Sequence, residues 1–128
     1  MKMGKNILVI FGLSLLLASC SEHQPAKETV ILSPGSTDLG EITTAKIIGI
    51  SFTIVNESDE DLHIISQAKS CGCTKLKLKS KLVKAHDRVK VYLQFDPEKE
   101  TGKFEKSVFF RLDNGEILVY RFNGFANP

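Results

Sequence analysis

Four stretches of this chain alternate apolar and polar side chains with a period of two, and that alternation limits what it can fold into more than any other feature. Ile48, Ile50, Phe52 and Ile54 alternate with Gly49, Ser51, Thr53 and Val55, and Val89, Val91, Leu93 and Phe95 alternate with Lys90, Tyr92 and Gln94. Val108, Phe110 and Leu112 alternate with Phe109 and Arg111, and Leu118, Tyr120 and Phe122 alternate with Val119 and Arg121. Neighbouring side chains of an extended strand point to opposite faces, so this period predicts strands with one buried face. No long period of 3.6 competes with it. The punctuation agrees. Pro34-Gly35 follows a first apolar run from Val30 to Leu32, Asn56 to Asp61 forms a polar turn, and Pro97 stops the strand that ends at Phe95. Asn114-Gly115 predicts a two-residue hairpin with positive φ at both turn residues. The reading is an all-β, antiparallel β-sandwich of about seven strands, with a β-barrel as the alternative.

The amino end differs in kind. Lys2 and Lys5 precede an apolar run from Ile7 to Ala18, closed by Leu17-Ala18-Ser19-Cys20. A charged leader, a short apolar region and small residues before a cleavage point are the order of a secretory signal, expected over 1–19. The run is short for a membrane span, which needs about 20 apolar residues. Leu-Ala-Ser-Cys also resembles the bacterial lipobox. That resemblance implies a diacylglycerol thioether on Cys20 and a stable membrane anchor made by several acyl chains. Residues 20–28 then read as the lipidated cysteine and a polar tether, and 29–128 as the folded domain. Ser21 beside the lipid site resembles lipoproteins sorted to the outer membrane, so the expected place is the cell envelope, lipid-anchored at the outer membrane.

Charge narrows the function. Without Lys2 and Lys5, 15 basic residues balance 15 acidic ones, so no global charge points to nucleic acid. Locally the balance breaks. Between Lys69 and Lys90, eight basic residues accompany one acidic residue, Asp87. Within that stretch Lys75, Lys77 and Lys79 alternate with Leu76 and Leu78, and Lys81 follows. Outward lysines on such a strand can attract anionic glycans, lipid headgroups or an acidic protein surface. They can equally protect a sheet edge from aggregating. Aromatic residues do not interleave with these lysines along the chain, which argues against a single-stranded nucleic-acid platform.

Cys71-Gly72-Cys73-Thr74 is the most unusual local motif. The two cysteines can form a small, strained and reducible disulfide, hold a soft metal such as Cu(I) or Zn(II), or exchange with other thiols. Exported proteins favour the oxidised form. A zinc site needs about four ligands, and His63 and His86 are the nearby candidates, though their spacing does not mark them as ligands. Both read as surface residues, as does His23 in the tether. The acids of Asp59-Glu60-Asp61 and Glu98-Lys99-Glu100 read as solvated loops. No nucleophile elbow, phosphate loop or metalloprotease helix motif occurs, so neither an enzyme nor a bound cofactor is expected.

Several of these elements together resemble domain-of-unknown-function family 1573, exported bacterial proteins related to Hydin-type and major-sperm-protein-like domains. The resemblance covers roughly 30–126. It rests on Asp38-Leu39-Gly40-Glu41-Ile42, on Phe52 to Asn56, on Leu62-His63-Ile64 followed by Cys71-Gly72-Cys73-Thr74, on Phe95-Asp96-Pro97, on Gly102-Lys103-Phe104 and on Gly124. Where the family has a Pro-Gly turn before the strand at Val89, this chain reads Lys84-Ala85-His86-Asp87. The resemblance implies an immunoglobulin-like sandwich in the envelope. The resulting expectation is a non-enzymatic binding or structural module engaging an envelope protein or glycan. The alternatives are a thiol module at Cys71 and Cys73 and an anionic-glycan binder at Lys75 to Lys79.

Overall fold

The computed structural model describes residues 30–128. The expected signal peptide, Cys20 and the tether lie outside the described residues. Nine strands and no helix occur among the described residues. The strands are β1 (Val30–Ser33), β2 (Ser36–Thr43), β3 (Ile48–Asn56), β4 (Leu62–Lys69), β5 (Thr74–Leu78), β6 (Leu82–Val83), β7 (Arg88–Phe95), β8 (Gly102–Leu112) and β9 (Ile117–Asn127).

They form two sheets, one in the order β1-β3-β7-β5 and one in the order β2-β9-β8-β4-β6. The strand count exceeds the expected seven because the first strand is split and a two-residue strand, β6, is added. β1 lies in the first sheet, and after the cis Ser33–Pro34 bond the chain continues as β2 in the second. The sandwich is also not wholly antiparallel, since β2 runs parallel to β9.

The alternation works as read. Phe52, Ile54, Val91, Leu93, Phe95, Val108, Phe110, Leu112, Tyr120 and Phe122 are all buried. Phe52 on β3 stacks on Tyr120 of β9, with ring centroids 3.8 Å apart, and Phe95 on β7 meets Phe122 of β9 at 5.1 Å. These contacts join one sheet to the other. Each large apolar side chain so buried stabilises the fold by about 1.5–3 kcal/mol.

Three turns differ from expectation in instructive ways. In the β8–β9 hairpin only Gly115 has positive φ, at 90°. Its N–H donates to Leu112 O at 3.0 Å, and Leu112 N–H donates to Glu116 O at 2.9 Å. The connection is therefore a three-residue loop ending in a left-handed glycine, not a two-residue turn. Before β7, Asp87 N–H donates to Lys84 O at 3.0 Å and His86 takes φ 58°. Ala85 and His86 thus fill the two central positions of a tight turn, with a histidine where positive φ favours glycine.

Asn56 is not a solvated turn residue. It is fully buried. Its Nδ2 donates to Glu60 O at 2.8 Å, Val83 O at 3.0 Å and Lys84 O at 3.3 Å. Its Oδ1 accepts from Ser58 N–H at 3.0 Å and Ser58 Oγ at 2.6 Å. One amide thereby ties the end of β3 to the turns at that end of the sandwich.

Candidate functional site

The Cys71-Gly72-Cys73 turn joins β4 in one sheet to β5 in the other, so it crosses the rim of the sandwich. Both flanks are pinned. Ser70 N–H donates to Ser107 O, and Ser107 N–H donates to Ser70 Oγ, each at 2.9 Å. Thr74 is buried, and its hydroxyl donates to Cys71 O at 3.0 Å. Asp96 N–H donates to Cys73 O at 2.9 Å, and Lys69 Nζ to Thr74 O at 2.6 Å. Those bonds explain why a threonine closes the motif.

Cys71 and Cys73 form a disulfide, with their Cα atoms 5.2 Å apart. Cys73 N–H also points at Cys71 Sγ, at 3.1 Å. The histidines weighed as partners are elsewhere and exposed. His63 Nδ1 pairs with Asp113 at 3.2 Å, and His86 Nε2 with Asp59 at 2.7 Å. The His63 backbone N–H, bonded to Asp113 Oδ1 at 3.1 Å, is the main influence holding that carboxyl below its ordinary range.

The group that does approach the sulfurs is Glu100. A carboxylate oxygen of Glu100 and the two Sγ atoms all lie within 4.8 Å of one another. Glu100 was read as part of a solvated loop, but its side chain is 19% exposed and meets Lys106 Nζ at 2.5 Å. Lys106 sits on β8 between inward Phe104 and Val108, and it too is only 18% exposed. If reduced, the pair and Glu100 would offer three ligand atoms to a soft metal, one fewer than a closed zinc site uses. The signal sequence reasoning missed was a lysine at a core-facing register position, which calls for a nearby acid.

The lysines lie along the outer face and edge of the first sheet. Among the described residues β5 pairs only with β7, so there its other edge is open. Lys75 and Lys77 point outward from β5, opposite Gln94 and Tyr92. Lys79 falls just beyond the strand and Lys81 in the following turn, both exposed, so the four lysines are not one strand. Leu76 and Leu78 are half-buried, because no neighbour covers that edge. Lys90 Nζ lies 5.4 Å from the Tyr92 ring centroid, and Tyr92 remains 39% exposed. An aromatic side chain therefore does stand among these lysines, contributed by the adjacent strand. Lys77, Leu78, Lys79 and Tyr92 line one open depression of about 480 Å³.

Comparison with solved structures shows the same fold at very low identity. A protein of unknown function from Porphyromonas gingivalis matches with TM-score 0.66 and 11% identity over 76% of this chain, which spans 46% of that protein. The ASH/PapD-like domain 7 of human CEP192 matches with TM-score 0.63 and 12% identity, over 81% of this chain and 89% of that one. WR4, a C. elegans MSP family member, matches with TM-score 0.56 and 11% identity, over 75% of this chain and 97% of that one. No curated protein matches the sequence. The sandwich is thus immunoglobulin-like, a fold it shares with these PapD-like and MSP domains. The family model described as protein of unknown function (DUF1573) matches residues 30–125, and the chain belongs to that family.

Proposed function

We propose that this chain is a lipid-anchored envelope protein whose sandwich is a non-enzymatic binding module, docking an anionic, extended partner on the β5–β7 face. The observation that carries the reading is the open β5 edge beside a basic surface with Tyr92 exposed among Lys75, Lys77, Lys79 and Lys90. Lysines blocking an edge would explain the charge alone. They would not explain an exposed aromatic ring standing in the middle of it. A ring beside cationic side chains suits a sugar face that also carries carboxylates, so an acidic polysaccharide is the favoured partner over a protein strand added to the edge.

The test is calorimetric titration of the chain with a polyuronate. Binding should weaken steeply between about 50 and 300 mM salt, as the Debye length falls from about 14 Å to about 6 Å. It should fall at least about tenfold in a Lys75→Gln, Lys77→Gln, Lys79→Gln variant and in Tyr92→Ala. Binding that ignores both changes removes the reading. The anchor is tested separately. Cells fed a labelled fatty acid should label the chain, and Cys20→Ser should abolish both the label and recovery with membranes.

A further inference from the structure

The rim that carries the Cys71-Gly72-Cys73 turn adjoins that docking face and shares Lys75 with it, but its own chemistry is different and specific. We propose that Cys71–Cys73 is a thiol–disulfide exchange site for dithiols of neighbouring proteins. Cys73 is the sulfur attacked, Cys71 is the sulfur that leaves, and Glu100 takes the incoming thiol's proton and delivers it to Cys71.

A purely structural bond explains the site poorly. Closing a loop across one intervening residue removes little chain entropy, so this bond is a weak staple. The turn is already held without it, through Cys71 O, Cys73 O and the Ser70–Ser107 pair of bonds.

The two sulfurs are not equivalent. Cys71 Sγ has the Cys73 N–H 3.1 Å away. A donor at a sulfur favours its thiolate, and the better-stabilised thiolate is the better leaving group. Cys73 instead faces a shallow depression of about 130 Å³ bordered by Ile47, Lys75, Gln94 and Asp96. Ile47 is 63% exposed and gives an arriving peptide an apolar shoulder. A partner thiol entering there meets Cys73.

Glu100 completes the set. One of its carboxylate oxygens lies within 4.8 Å of both sulfurs, and the group is held by a largely buried ion pair to Lys106. Drawing both charges out of water at a core-facing position is unfavourable unless something gains from it. Here the pair fixes an acceptor within 4.8 Å of both the attacked and the leaving sulfur.

The step balances. The partner thiol gives its proton to Glu100 and bonds to Cys73 Sγ. The Cys71–Cys73 bond breaks, its electron pair leaves on Cys71 Sγ, and the proton passes from Glu100 to that sulfur. The partner's second thiol then attacks its own sulfur in the mixed disulfide and releases Cys73 as a thiol. One partner dithiol has become a disulfide, and this disulfide has become two thiols. The reverse sequence reduces a partner disulfide, and no further oxidant is involved in either direction.

The full chain in detergent micelles is mixed with a reduced fluorescent peptide containing two cysteines, and exchange is followed from pH 5 to 9. The rate at neutral pH should exceed that of a free oxidised peptide spanning residues 69–75 by at least about tenfold. Glu100→Gln leaves Lys106 unpaired and lowers the melting temperature, so rates are compared where both chains are folded; there it should lower the rate about tenfold and make it rise with pH as the probe's own thiolate does. Should Glu100→Gln fail to fold, Glu100→Asp serves, with an intermediate rate expected. With the oxidised probe, Cys71→Ser should accumulate a mixed disulfide on Cys73, and Cys73→Ser should trap at least about tenfold less. Three results each overturn the assignment: a rate no faster than the free peptide, faster trapping by Cys73→Ser, or a rate and pH profile indifferent to Glu100.

Discussion

Asn56→Asp exchanges one nitrogen for oxygen where three carbonyls converge. The Nδ2 atom donates to Glu60 O, Val83 O and Lys84 O at 2.8, 3.0 and 3.3 Å from a fully buried side chain. Each such bond contributes about 1 kcal/mol net, and a buried carbonyl left unpaired costs about 1–3 kcal/mol more. Only the Val83 bond is buried, so three bonds at about 1 kcal/mol each and one unpaired carbonyl at about 1 kcal/mol should destabilise the chain by about 4 kcal/mol at neutral pH. In urea that is a midpoint lower by roughly 1–4 M. The loss should also depend on pH in a stated direction. Burial and three facing acceptors favour the protonated carboxyl, so its folded-state pKa lies above the unfolded value of about 3.9. The folded state then holds the proton to higher pH than the unfolded state, and the variant's stability falls as pH rises through that interval. Urea titrations at pH 4.5 and pH 7.5 should show the gap from the parent chain widening with pH. A variant within about 1 kcal/mol of the parent, or a gap that does not change with pH, would refute the account of Asn56 as the donor that joins these turns.

Two further substitutions probe the β2–β9 side. A Cβ at Gly124 would stand 2.8 Å from Gly40 O and 2.9 Å from Phe104 Cζ, so Gly124→Ala should cost about 1–3 kcal/mol in thermal unfolding, whereas the same change at Gly49, which faces open space, should cost less than about 1 kcal/mol. Tyr120 is buried with its hydroxyl bonded to Thr37 Oγ1; burial raises its ionisation above the ordinary 10, a rise the Thr37 bond partly offsets. The folded state then keeps the phenol proton longer than the unfolded state, so stability is lost as pH rises above 10, and Tyr120→Phe should remove that alkaline loss while costing about 1 kcal/mol at neutral pH.

Where burial follows strand alternation, the sequence was readable. β3 and β7 keep strict alternation across their length, and Phe52, Leu93 and Phe95 are buried where the pattern puts them. β8 was legible only from Val108 onward, because Lys106 occupies an inward position and breaks the apolar series that begins at Phe104. That same lysine hid the site, since its partner Glu100 looked like one more loop acid. β2 carries Ser, Thr, Asp and Glu, so its own residues do not mark a strand; the family resemblance over Asp38 to Ile42 implied one, but not that β9 lies beside it in parallel register. A parallel pairing between residues some 85 positions apart leaves no local signature. Tyr92 was read as the polar phase of its own strand, and its place among the lysines comes from the pairing of Lys77 with it across β5 and β7. For β2 and Tyr92 the missing information was a neighbour from another strand; for Lys106 it was the loop carboxylate of Glu100.

The two candidate sites meet at Thr74, where the rim turn becomes the open edge, and this makes their independence testable. β5 is held by five residue pairings with β7, from Thr74↔Phe95 to Leu78↔Val91. Its root is also fixed by the Asp96 N–H bond to Cys73 O and the Thr74 hydroxyl bond to Cys71 O, neither of which uses a sulfur. Reducing the disulfide should thus leave the lysines and Tyr92 in place, and polyuronate affinity should change by less than about threefold, under 0.7 kcal/mol. Calorimetry on the same chain before and after reduction, with the thiols alkylated, reads this directly. If affinity instead collapses on reduction, the disulfide itself sets the position of β5. The docking face and the exchange site would then be one redox-controlled surface, not two neighbouring ones.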